Sequence, residues 1–133
     1  MIRLILLSLL IFSPLIAIES FIELKVNNEI ITNIDLDNEA RYLFALNNEL
    51  ESADKKTLTR LAKESIIKEK IKKNELLKYY RLDSTEVLLD EIIKDYYKKL
   101  NIKNLKDFET YLKKYNLEMK IIKQKIEIEF LWN

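Results

Sequence analysis

The chain has 133 residues, a one-domain length, with 23 basic against 22 acidic side chains and a net charge of +1. It contains no His, no Cys and no Gly. That excludes His- or Cys-based nucleophilic triads, disulfides, thiolate or imidazole metal sites, and glycine-dependent phosphate loops.

Its 48% apolar content suffices for a core. The near-equal charges give no general case for nucleic acid, and no cofactor or metal is expected.

The start, MIRLILLSLLIFSPLIAIES, places Arg3 before an apolar run that ends at Pro14. A basic start and a short apolar stretch are the layout of an export signal, assigned to residues 1–20 with Ala17 or Ser20 at the cleavage point. Pro14 and Glu19 cut the run below the span of a membrane helix, so an uncleaved anchor ranks second.

Next, 21–26 (FIELKV) and 29–32 (EIIT) read as two strands joined at Asn27-Asn28, because Asn tolerates positive φ best after Gly. A two-stranded hairpin alone is marginal, so this one must lie on helices or gain a third strand. Thr32 or Asn33 caps the next helix; Thr32 followed by Asp35 resembles a capping box, and Asp37 and Glu39 complement the positive end of a helix over 33–47. Its apolar stripe is Ile34, Ala40, Leu43, Phe44 and Leu46.

A second helix covers about 55–80, with Leu58, Leu61, Ala62, Ile66, Ile67, Ile71, Leu76 and Leu77 mainly on one side. Ser84-Thr85-Glu86 opens a third, whose apolar face is Leu88, Leu89, Ile92, Ile93, Tyr96 and Leu100. A fourth, near 105–115, buries Phe108, Tyr111 and Leu112 and stops at Asn116, which takes the place of the usual Gly. A fifth runs from about 118 through Met119, Ile122, Ile126 and Phe130, with no stop signal before Asn133. Acids at Asp35, Asp37 and Glu39 read as capping, and the 68–73 lysines as a solvated face with Glu64–Lys68 and Glu69–Lys73 pairs. The expected fold is mainly α: a short hairpin and about five helices.

The order of these elements is similar to the N-terminal domain of the SurA family. The residues that carry it are KVNNEIITNIDLDNEARYL, the long helix TLTRLAKESIIKEKIKKNELLKYYRLD, and a helix-loop-helix leading to a helix that ends in Trp132. The resemblance covers 21–133 and implies a periplasmic, ATP-independent chaperone of the trigger-factor/SurA peptide-binding kind. Its partners would be unfolded outer-membrane proteins or other extended, aromatic-rich chains, and the membrane would be met only through the signal.

Arg81 and Asn116 stand where the family commonly has Gly. The parvulin isomerase domain and the returning C-terminal segment of the family have no counterpart here, so the domain is expected to be incomplete at its C-terminus and not an enzyme. The alternative reading is a structural or interaction module of a longer isomerase, completed by a missing segment or a partner chain.

On the chaperone reading, exposed aromatics grip the client, because they offer large contact area with a polar tip on Tyr and Trp. The candidates are Tyr79, Tyr80, Tyr96, Tyr97, Tyr111, Phe130 and Trp132. Tyr80 and Tyr97 lead, since each adjoins another Tyr able to fill the apolar stripe.

Overall fold

Thr32 ends the hairpin and starts the first helix in one residue. Its hydroxyl accepts the Asp35 backbone N–H at 3.2 Å, and the Asp35 carboxylate accepts the Thr32 N–H at 2.8 Å. Two backbone donors at the helix start are thereby satisfied, as the sequence pattern predicts. Exchange of Thr32 for Ala is expected to cost about 1–2 kcal/mol, read as a lower urea midpoint at unchanged slope.

The computed structural model describes residues 19–82 and 86–133. The expected signal lies largely in residues 1–18, and the Ser84-Thr85 cap in residues 83–85, both outside the described residues. The fold is mainly helical. Strands β1 (Ile22–Val26) and β2 (Glu29–Thr32) form an antiparallel pair. Helix α1 (Asn33–Leu46) and a 3-10 turn (Asn48–Ser52) follow, then α2 (Lys55–Leu76), α3 (Glu86–Lys99), α4 (Leu105–Lys114) and α5 (Met119–Trp132).

Asparagine does the work of the missing glycine at three chain reversals. Asn27, Asn101 and Asn116 sit at φ of 52°, 59° and 53°, the left-handed region that Asn reaches with least penalty among residues bearing a Cβ. They mark the hairpin turn, the α3–α4 turn and the α4–α5 turn.

The hairpin rests on helices. Ile31 is fully buried beside Leu36 and Ile66, with Leu24, Val26 and Ile67 packed around them. Its edges are blunted. A bulge falls between Ile22 and Leu24, Lys25 is exposed on β1, and the Thr32 N–H on β2 is taken by Asp35. Those are the devices by which sheets discourage further pairing. Asn33 ties the incoming chain to α1, accepting the Phe21 N–H at 2.9 Å and donating to the Glu19 carbonyl at 3.0 Å.

A larger core joins the C-terminal end of α1 to the last three helices. Ala45, Leu89, Ile93, Phe108, Leu112, Leu117, Ile122 and Ile126 form it. Asn104 caps α4 by accepting the Asp107 N–H at 2.9 Å, and Tyr111 donates its hydroxyl to the Ala45 carbonyl at 2.8 Å, pinning α4 to α1.

Three expectations change. Helix α2 stops at Leu76, not near residue 80: the Tyr79 and Tyr80 amides both donate to the Leu76 carbonyl, turning the chain out of the helix. Ile71 and Leu77 lie exposed rather than on the buried stripe, because the helix shows the core only the Ala62–Ile66–Leu76 line along much of its length. In α1 the buried positions are Leu36, Glu39 and Ala45, while Ile34, Ala40, Leu43, Phe44 and Leu46 are half-buried.

Candidate functional site

Helices α1, α2 and α5 pack side by side, and α2 and α5 run in the same direction. Glu69 and Lys72 on α2 pair with Lys125 and Glu129 on α5, advancing together along both helices. Between the three helices lies a polar cavity of about 200 Å³, lined by Glu39, Tyr42, Ser65, Glu69, Lys125 and Glu129.

Lys125 is its centre. Its ammonium donates to Glu39 Oε2 at 2.5 Å and to the Glu69 carboxylate, and lies 4.7 Å from the Tyr42 ring centroid. Ser65 donates its hydroxyl to the second oxygen of Glu39 at 2.7 Å. Glu39 is 2% exposed, so both its oxygens are satisfied inside the protein. Burial first, then the fields of Tyr96, Glu39, Glu69 and Glu129, push the Tyr42 phenol far above the ordinary tyrosine value. The hydroxyl therefore stays protonated at any physiological pH.

These contacts revise two expectations. Glu39 is not a helix-end charge but the α1 arm of a buried ionic cluster. Glu64 pairs with Arg60, and Glu69 with Lys125, in place of the expected Lys68 and Lys73 partners. Chemically the cluster is closed: each charge faces its opposite, and among the described residues no group of side chains is arranged to hold a metal ion. An internal staple between three helices accounts for it.

The same staple leads outward to the aromatics. Lys72 donates to Glu129 Oε2 at 2.5 Å and sits 5.9 Å from the Trp132 ring centroid. Because α2 and α5 are parallel, their C-terminal ends lie at the same end of the bundle. Leu77, Tyr79 and Tyr80 follow the end of α2, and Phe130 and Trp132 occupy the last turn of α5, all exposed. Tyr79 and Tyr80 are 75% and 53% exposed, high values for large apolar rings that pay to meet water.

The seven aromatics named from sequence thus separate. Tyr79, Tyr80, Phe130 and Trp132 are exposed at one end of the bundle. Tyr96, Tyr97 and Tyr111 are half-buried against the larger core. Tyr97 is no surface ring: its centroid is 6.0 Å from that of the fully buried Phe108. Tyr96 carries Lys99 over its face, and the Tyr111 ring meets Tyr115 in a tilted contact with centroids 5.1 Å apart. Leu77 joins the exposed group, and no sequence pattern distinguished it, since it continues the apolar spacing of α2.

Among the described residues no helix is long and apolar enough to cross a membrane. No protein-family model, curated protein or solved structure matches this chain.

Proposed function

We propose that this chain is an exported, ATP-independent chaperone domain of the SurA kind, which holds extended aromatic-rich segments of unfolded outer-membrane proteins. The observation that carries the reading is the exposure of Leu77, Tyr79 and Tyr80 just past the end of α2, and of Phe130 and Trp132 in the last turn of the parallel helix α5. A soluble domain keeps contiguous apolar surface small unless something covers it. Flat rings with polar tips bind varied apolar sequences while tolerating water between clients. Such a grip is reversible and needs no nucleotide, metal or catalytic group.

The test is light scattering of an unfolded outer-membrane β-barrel protein diluted from urea. At near-equal molar ratio the protein is expected to suppress aggregation, and Tyr79→Ser/Tyr80→Ser/Trp132→Ser to lose most of that effect with an unchanged melting temperature. Equal suppression by the triple variant would overturn the assignment of the surface.

A second reading is an interaction module of a longer peptidyl-prolyl isomerase, without activity of its own. Phe21, Ile22 and Ile30 favour it, since all three are exposed on the hairpin. In the same assay that module leaves aggregation of the client unchanged.

A further inference from the structure

The lysines of the α3–α4 corner differ from those around the ionic cluster. Lys70 and Lys72 on α2, and Lys123 and Lys125 on α5, each reach a carboxylate on another element. At the corner, Lys98, Lys99, Lys103, Lys106, Lys113 and Lys114 make no ion pair with any described residue, and all six are exposed. Only two acids, Asp107 and Glu109, share residues 98–114 with them, in a chain whose total net charge is +1. The carboxylate of Asp107 already accepts from the Asn104 side chain at 2.9 Å.

The turn at Asn101 sets Lys98 and Lys99, in the last turn of α3, close in the chain to Lys103 and Lys106, and α4 carries Lys113 and Lys114 in its own last turn. Between Lys103 and Lys114 runs a shallow groove of about 440 Å³, with Ile102 and Thr110 in its walls. Leu105, flanked in sequence by Asn104 and Lys106, is 42% exposed.

We propose that this corner docks on an anionic lipid surface. Its charge is the complement of phosphatidylglycerol-type headgroups, and each lysine near such a surface adds its own increment of attraction. The side chains point to lipid rather than nucleic acid. All six cations are lysines, point charges without the planar fork of arginine that reads bases. The corner's rings are also unavailable for base stacking: Tyr97 packs on Phe108, and Tyr111 is bonded to Ala45. The exposed Leu105 can dip among headgroups with its lysines spread around it.

The test is co-sedimentation of the full chain with phosphatidylcholine vesicles containing either no anionic lipid or about 30 mol % phosphatidylglycerol. The ratio of the two partition coefficients is the readout, because it cancels any binding common to both vesicles. A ratio above about tenfold is expected near 0.1 M salt, collapsing toward one near 0.5 M. Lys98→Gln/Lys99→Gln/Lys103→Gln/Lys106→Gln is expected to bring the ratio close to one. Lys55→Gln/Lys56→Gln/Lys63→Gln/Lys68→Gln, which removes the same charge from exposed positions on α2, is expected to leave most of it. A ratio near one for the unaltered chain, equal losses in both variants, or release from vesicles by duplex DNA at matched charge would each overturn the proposal.

Discussion

Exchange of Lys125 for Met is expected to remove about 3–5 kcal/mol of stability, a large part of what a domain of this size holds. The methylene stem of Met keeps most of the packing, so the loss reports the charge. Without the ammonium, Glu39 keeps only the Ser65 hydroxyl, and the Glu69 carboxylate faces it with no cation between them. Glu39 is 2% exposed and cannot turn to water without opening the contact between α1 and α2. In urea the midpoint should fall by more than about 1 M at unchanged slope. Glu39→Gln in the Lys125→Met background should restore a substantial share, because the amide accepts from Ser65 and brings no charge. A midpoint within error of the unaltered protein, or a double variant worse than the single one, would show that the cluster carries no such strain.

The parts of this fold that were legible in the sequence are those decided by neighbours in the chain. Thr32 and Asp35 are three residues apart and need only each other, so the capping box could be read directly. The asparagine reversals at Asn27 and Asn116 follow from the absence of Gly, which leaves few residues able to take a positive φ. The ionic cluster was hidden because its members come from three helices, and each alone looks like a surface charge. A signal was present all the same. Glu39 follows Leu36 by three and precedes Tyr42 by three, so it sits on the inward line of α1.

The aromatic doublets show the other limit. Tyr79-Tyr80 and Tyr96-Tyr97 are alike in sequence and unlike in space. The first pair falls just past the end of α2, where the chain leaves the helix; the second lies inside α3, with both rings reaching core residues. What separates them is a helix end at Leu76, and the residues after it, Leu-Lys-Tyr-Tyr, contain no breaker that would place it. Exposure therefore depended on a boundary that packing sets and local propensity does not.

Exchange of Phe108 for Ala is expected to cost about 3–5 kcal/mol, and to do so locally. Phe108 is fully buried, and with Leu112 it is one of only two fully buried side chains that α4 places in the core. Tyr97 leans on its ring, and the half-buried Tyr111 and Tyr115 close the same side. A helix of 10 residues has no standing of its own in water, so α4 persists only while this face is docked. Removing the ring leaves a cavity that Tyr111 cannot fill without breaking its hydrogen bond to the Ala45 carbonyl. Amide exchange across 105–114 should accelerate by two or more orders of magnitude, on the order of the loss at the core, while α1 and α2 amides near Leu36 and Ile66 move less. Lys106, Lys113 and Lys114 would then be carried on a mobile segment, while the ends of α2 and α5 keep their geometry. Uniform acceleration along the whole chain would instead mean that the two cores unfold as one unit, and that the hairpin cluster depends on α4 for its stability.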